Sequence, residues 1–263
     1  MTTVKNIINE IEKLAPKFLQ ESYDNVGLMV GDENKEINKV LLALDCTKEV
    51  INEAREYSCD LIITHHPLLF KSPKNITIGD LVGEKVISLI KDDISLYSCH
   101  TNLDSAKDGI NETVVRLLGF ESSLIIEPSQ LKSYEEAGIG RIVPLPKVML
   151  LEDIIKLLKE KLNIKHMRVV RGTEEVKKIA IINGSGQDLF YKAKKLGADC
   201  IISGDTTYHF ASDFKEMGIS IIDAGHFSTE WIPFLKTLEF LKDKFPKVEF
   251  INSKQCADPY EFI

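Results

Sequence analysis

The stretch Leu61-Ile62-Ile63-Thr64-His65-His66-Pro67 decides how the chain is read, because its framework returns later with different chemistry. Ahead of it, Val40-Leu41-Leu42-Ala43-Leu44 is an apolar run of strand length, and Val50, Ala54 and Tyr57 recur at helical spacing. Residues 39 to 66 therefore predict strand, helix, strand. Pro67 holds its predecessor extended and stops the second strand at the two histidines. The same units return as Ile179-Ala180-Ile181-Ile182, a helix through Leu189, Ala193 and Leu196, and Asp199-Cys200-Ile201-Ile202-Ser203. Where the first copy has His65-His66, the second has Gly204-Asp205.

The duplication continues into a third strand. Ile94-Ser95-Leu96-Tyr97-Ser98-Cys99 runs into His100-Thr101-Asn102-Leu103-Asp104, and Ile219-Ser220-Ile221-Ile222-Asp223-Ala224-Gly225 runs into His226-Phe227-Ser228-Thr229-Glu230. Both copies end an apolar strand on a histidine and place a carboxylate four residues later. Open α/β sheets gather functional groups at the carboxyl ends of their strands. Those ends hold His65, His66, His100, Asp104, His226 and Glu230. Two copies are too few for a stacked array, which generally needs three or more, so the pattern predicts an internally duplicated α/β fold.

The 263 residues suit one large domain or two closely joined ones, and 44% hydrophobic with 28% charged residues is ordinary for a protein with a sizeable core. A net charge of −7 disfavours a partner bound by phosphate neutralisation, which needs a basic face; nucleic acid is not the expected partner. Cys46, Cys59, Cys99, Cys200 and Cys256 form no CxxC pair, and four lie in or beside apolar runs. They read as packing residues rather than as a disulfide frame or thiolate site. No apolar run is long enough to span a membrane and the first residues open an amphipathic helix, so a cytoplasmic protein is expected.

Around the repeats, Val4, Ile7, Ile8, Ile11 and Leu14 predict a helix ending before Pro16, and Val26 to Gly31 an edge strand after a polar turn. Residues 79–91 and 109–118 read as helices, the latter stopped by Gly119. Residues 121–178 read as a spacer with a strand at 138–145, a helix at 150–162 and a strand at 166–170. Residues 231–245 read as one helix and 247–251 as a closing strand.

Histidine with Asp and Glu, and no thiolate, is the ligand set of hydrolytic Zn, Fe, Mn or Co sites. His226 and Glu230 share a face if a helix starts near Phe227. Adjacent strand residues point to opposite faces, so His65 and His66 suit two neighbouring ions better than one. Two-metal centres hold their ions roughly 3.5–4 Å apart and activate a shared water. His100 suits an orienting or proton-moving role beside Asp104, and His209 is a second candidate for proton transfer. His166 has no partner pattern and reads as structural. Asp24-Asn25 fit a turn and a cleft lining equally well. Gly184-Ser185-Gly186 lacks a full phosphate-binding signature, and a nucleophile such as Cys99 needs its base apposed in space, not merely adjacent in sequence.

At these residues the sequence resembles the NGG-interacting-factor-three-like family, whose members are often labelled GTP cyclohydrolase I type 2 homologs. The matching motifs are Ser22-Tyr23-Asp24-Asn25-Val26-Gly27-Leu28, Thr64-His65-His66-Pro67, His100-Thr101-Asn102-Leu103-Asp104, Gly138-Ile139-Gly140-Arg141 and Asp223 to Glu230. They span nearly the whole chain in the family's order. Tyr23 departs from the family's usual Trp but keeps an aromatic ring. The chain resembles the short form without the inserted central domain.

The resemblance implies two similar, intertwined α/β domains with layered helices around mixed sheets. Their expected boundaries are residues 1–122 with 223–263, and residues 123–222. It implies two divalent metal ions (Zn, Fe or Mn) held by His65, His66, Asp104, His226 and Glu230, with Glu230 a candidate bridge and His100 a neighbour. It also implies a toroidal homohexamer. The expected function is a dinuclear-metal-dependent hydrolase whose activated water attacks a nucleotide-like substrate, with His100 or His209 moving protons and Glu21, Asp24 or Asn25 near the substrate. The alternative is a ring-shaped metal-binding adaptor without turnover.

Overall fold

A computed structural model describes every residue except 122, 132 and 133. In chain order the elements are α1 (Val4–Leu14), β1 (Gly27–Val30), β2 (Lys39–Ala43), α2 (Lys48–Glu56), β3 (Leu61–Thr64), α3 (Leu81–Lys91), β4 (Ser95–Ser98), α4 (Thr101–Ser105) and α5 (Ile110–Leu117). Then come β5 (Leu124–Pro128), β6 (Gly138–Leu150), α6 (Leu151–Lys161), β7 (Arg168–Val170), β8 (Glu175–Ser185), α7 (Phe190–Lys195), β9 (Cys200–Gly204), α8 (Tyr208–Glu216) and β10 (Ser220–Asp223). The chain closes with α9 (His226–Thr237), α10 (Phe240–Lys244) and β11 (Glu249–Asn252).

The chain divides into two units, each discontinuous: residues 1–103 with 237–257, and residues 104–236 with 258–263. The boundaries expected from the resemblance put residues 104–122, 223–236 and 258–263 in the other unit. Packing explains part of the difference: Val114, Val115 and Leu118 share a core with β8 residues Ile179 and Ile181.

In the first unit the sheet order is β1-β4-β3-β2-β11. Strands β2, β3, β4 and β11 run parallel and β1 is antiparallel on the edge. All four residues of β3 and of β4 are buried; β3 accordingly reads as a near-continuous apolar run, while β4 buries Ser95 and Ser98 beside Leu96 and Tyr97. Helices α2 and α3 cover one face: Val50, Ile51, Ala54, Val86 and Leu89 pack on Leu41, Ala43, Ile62 and Leu96. Helix α1 starts at a capping box, Thr3 and Asn6 each accepting from the other's backbone N–H, and buries Val4, Ile7, Ile8 and Ile11.

In the second unit the order is β5-β6-β8-β9-β10-β7, with β8, β9 and β10 parallel and the others antiparallel. Ala180, Ile182, Ile201 and Ile221 pack under α7 and α8 through Phe190, Ala193 and Phe214. Each stands at the position of a first-copy residue just named beneath α2 and α3, so the two copies cover the same face. The alternate residues, Ile179, Ile181, Ile202 and Ile222, pack on the opposite face with α5 and α6.

Two expectations are corrected. Residues 121–178 are not a mere spacer, because β5 and β6 extend the second sheet, and β6 runs on to Leu150. The helix expected at 231–245 is two, α9 and α10. The apolar period runs on through both, so periodicity alone does not register the break. Among the described residues no helix is long and apolar enough to cross a membrane.

Candidate metal centre

The first unit's histidines sit where its ladder runs past the ends of β3 and β4. His66 N–H donates to the Leu44 carbonyl at 2.9 Å and Cys99 N–H to the Thr64 carbonyl at 3.0 Å. The Thr64 hydroxyl donates to the His66 carbonyl at 2.9 Å and lies 2.8 Å from the Ser98 hydroxyl. The backbone beneath the histidines is therefore fixed. Each ring is fixed in turn through Nδ1. His65 Nδ1 donates to the Cys99 carbonyl at 2.8 Å, His66 Nδ1 to the Asp45 carboxylate at 2.8 Å, and His100 Nδ1 to the Asp24 carboxylate at 2.9 Å. A carbonyl only accepts, so His65 carries a proton on Nδ1, and Nε2 is its other possible ligand atom. The three residues offer ligand nitrogens that all lie within 4.8 Å of one another. His65 is fully buried and the other two are half-buried.

Asp24 holds His100 through a closed set of bonds. Its side chain is 0% exposed. It accepts from His100 Nδ1, from the Thr101 N–H at 3.0 Å, from the Thr101 hydroxyl and from the Asn25 N–H at 2.8 Å. Burial works against its charge, but the bonds from His100 and Thr101 outweigh that cost and hold the carboxyl down at about 2. The turn before β1 thus serves the histidine cluster directly.

In the second unit the chain leaves β10 at Asp223, which accepts from the N–H groups of Thr206 (3.0 Å) and Gly225 (3.1 Å) and pairs with Arg168. Gly225 takes φ +87°, a left-handed conformation that glycine adopts without strain, and α9 begins at the next residue, His226. His226 Nδ1 donates to the Asp205 carboxylate at 2.7 Å, while its Nε2 faces Glu230 Oε2 at 3.0 Å from one turn along the helix. Glu230 is only 4% exposed. Gly184, at the end of β8, has φ +56°, and its N–H donates to the Thr229 hydroxyl at 3.1 Å. A Cβ at residue 184 would overlap Glu230 Oε1 and press on His226 Nε2. The glycine leaves the space these two donors occupy.

The remaining sequence-predicted residues are placed as follows. Asp104 is half-buried on α4, its carbonyl accepting from Asn111 Nδ2 at 3.2 Å. His209 is exposed in the first turn of α8, edge-on to Tyr208, and belongs to none of the histidine–carboxylate clusters among the described residues. His166 stacks on Phe262 with centroids 5.0 Å apart. All five cysteines are free thiols. Burial pushes Cys46 up to about 12 and Cys59 up to about 11, so these two are not thiolates near neutral pH. Sequence reasoning missed Asp45 and Asp205. Each lies 21 residues before the histidine it holds, a signal that means something only once the intervening strand and helix lengths are known.

These donors fit divalent metals. Histidines that bind metal commonly give their second ring N–H to a carboxylate or carbonyl, which fixes the tautomer and aims the other nitrogen. His65, His66, His100 and His226 all follow that pattern. In the Glu230–His226 pair a buried carboxylate oxygen lies 3.0 Å from an imidazole nitrogen, two donor types that bind divalent ions. The nitrogen and oxygen donors suit Zn, Fe or Mn.

Comparison with known proteins adds the family context. The family model described as Duf34/NIF3 (NGG1p interacting factor 3) matches residues 2–259. A relative from Clostridium perfringens, described as a GTP cyclohydrolase 1 type 2 homolog, is 57% identical over 262 residues, covering 99% of each chain. A relative of the same description from Clostridium acetobutylicum is 49% identical, covering 98% of each. The crystal structure of a Staphylococcus aureus hypothetical protein superposes with a TM-score of 0.88 at 32% identity, over 99% of each chain.

Proposed function

The chain belongs to the Duf34/NIF3 family, and on that premise we propose that it is a metal-dependent hydrolase acting on a nucleotide-like heterocycle. One observation carries the reading: His65, His66, His100 and His226 all have Nδ1 held by a carboxylate or carbonyl, so all four are set to use Nε2. One such bond is common for a packed histidine; four at neighbouring strand ends, with Nε2 left as the second ring atom in each, favour ligands.

In this reading His65, His66, Asp104, His226 and Glu230 hold two divalent ions, with Glu230 the candidate bridge. Once bound, the ions supply Lewis acidity and lower the pKa of water toward neutrality. The chain's own residues do the rest. Asp45 and Asp205 orient two of the imidazoles. Asp24 keeps the His100 proton on Nδ1, which leaves Nε2 to accept a proton and hand it on. Buried His65 keeps bulk water from the inner side of the cluster. The shared description of the curated relatives makes GTP the first substrate to try, with ring opening at C8 of guanine the expected reaction. The proposed assembly is a toroidal homohexamer, measurable by light scattering, and five free thiols suit a reducing cytoplasm.

The test is GTP turnover by Zn-, Mn- and Fe-loaded protein, with products resolved by chromatography and a His226→Ala/Glu230→Ala control. Ring-opened product from wild type alone supports the hydrolase. No turnover of GTP or of a panel of nucleotides and heterocycles by protein with filled metal sites rejects it.

A further inference from the structure

A row of aromatic rings leads outward from the first unit's histidine cluster. Phe70 lies edge-on to His100 with centroids 6.2 Å apart at 74°, and Tyr23 lies 6.3 Å from Phe70 at 56°. Exposure rises along the row, from 0% at His65 to 41% at Phe70 and 63% at Tyr23. A scattered exposed aromatic needs no explanation. Two that continue a cluster of converging imidazoles have the make-up of a ligand site, apolar surface beside a few placed polar groups.

Both rings are tied to the residues that position His100. Tyr23 precedes Asp24, whose carboxylate is bonded to His100 and Thr101. Asn25 Nδ2 donates to the Leu69 carbonyl at 2.6 Å, one residue before Phe70. The segment 23–25 thus ties the backbone that carries both aromatic residues to the residue that orients the imidazole.

We propose that Tyr23 and Phe70 form a stacking corner that holds the planar base of a purine nucleotide beside His65, His66 and His100. The inference rests on the reading of this site as one for a nucleotide-like substrate, and it assigns the residues that recognise the base. A base sandwiched between two rings needs them parallel and roughly 7 Å apart, two van der Waals spacings. Tyr23 and Phe70 are tilted and closer than that, so one ring takes the face of the base and the other its edge. Stacking of this kind selects for a planar π-system and tolerates differences among bases.

The test is calorimetric titration of the full chain with GMP and, as a probe lacking the base, ribose 5-phosphate. Tyr23→Ala, Phe70→Ala and the conservative Phe70→Tyr are compared with wild type. The expected result is about tenfold weaker GMP binding for each alanine variant, unchanged ribose 5-phosphate binding, and near-wild-type behaviour of Phe70→Tyr. Equal losses for both probes overturn the inference, as does wild type binding GMP no better than ribose 5-phosphate. Alanine variants that change the particle mass in solution but not GMP affinity also overturn it, because the rings would then be buried between copies. Binding is read without turnover, so base-selective binding by a protein that hydrolyses nothing rejects the hydrolase and leaves this inference standing.

Discussion

The two copies of the strand–helix–strand unit share a frame and differ at its rim. In the first, Asp60 accepts from the Asn38 and Lys39 N–H groups at 2.7 and 3.1 Å; in the second, Asp199 accepts from Lys177 and Lys178 at 2.8 and 3.0 Å. Lys39 reaches the Tyr57 carbonyl at 3.2 Å and Lys178 the matching Leu196 carbonyl at 2.8 Å. Past the strand ends the equivalence stops. In the first copy Asp45, beyond β2, holds His66, beyond β3. In the second Asp205, beyond β9, holds His226, beyond β10. The histidine–carboxylate pairing has moved one strand along, and Gly184 occupies the position that Asp45 has. Ladder bonds are made by the backbone and tolerate many side chains, even where they run past the strand ends, so a duplicated sheet can keep its core and exchange the chemistry at its rim.

The comparison breaks most visibly if the rim pairs are removed. His65→Ala/His66→Ala and His226→Ala/Glu230→Ala should each lower Zn affinity by more than about a hundredfold, beyond the 10–100-fold typical for loss of a histidine's outer partner, as read by competition with a chromogenic chelator. Asp45→Ala and Asp205→Ala should each fall within that roughly 10–100-fold range. A null effect from either one would deny the equivalence of the two pairings.

Gly184→Ala should cost about 1–3 kcal/mol in urea denaturation, since a side chain is placed at positive φ, and it should also weaken metal binding by displacing Glu230. Unchanged stability and affinity would show that the space at Gly184 is not needed. The frame itself predicts symmetry: Asp60→Ala and Asp199→Ala should destabilise by similar amounts, about 1–3 kcal/mol each, because each leaves two backbone donors without their carboxylate. A large cost in one copy and none in the other would contradict a shared frame.

The smallest expected effect is at Asp24. Its carboxyl sits at about 2, below its ordinary value near 3.8, so its contribution is fully present above about pH 4 and fades as pH falls toward 2. Asp24→Asn should therefore be less stable than wild type by about 1–2 kcal/mol at pH 6, the gap closing between pH 4 and 2. A gap independent of pH would show that the bonds, not the charge, stabilise that turn.

Much of this was legible in the sequence. Clusters of apolar residues at strand length marked β2, β3, β4, β9 and β10, in which every residue but Lys39 is buried, and the recurrence of those clusters exposed the duplication. The equivalence assumed between His100 and His226 was one residue off. The ladders match Ser95 with Ser220 and Cys99 with Ala224, through their bonds to Asp60, Asp199, Thr64 and Ser203. Gly225 is therefore an extra residue, and His226 opens a helix while His100 precedes one. β5 was missed because a short, half-exposed edge strand ending at Pro128 carries little period. Alternation predicted that His65 and His66 would face apart, yet their ring centroids are 5.1 Å apart. β3 ends at Thr64, so the pleat no longer governs them. Asp45, Asp205 and Phe70 depend on contacts distant in sequence, which local pattern does not encode.

The central claim is that the histidines and carboxylates at the strand ends hold metal. Its most direct test is metal content per chain by plasma mass spectrometry after equilibration with Zn and removal of loosely bound ions. The account predicts two ions per chain in wild type and a clear loss in His226→Ala/Glu230→Ala. Less than one ion per wild-type chain, or the same content in the double variant, would contradict it.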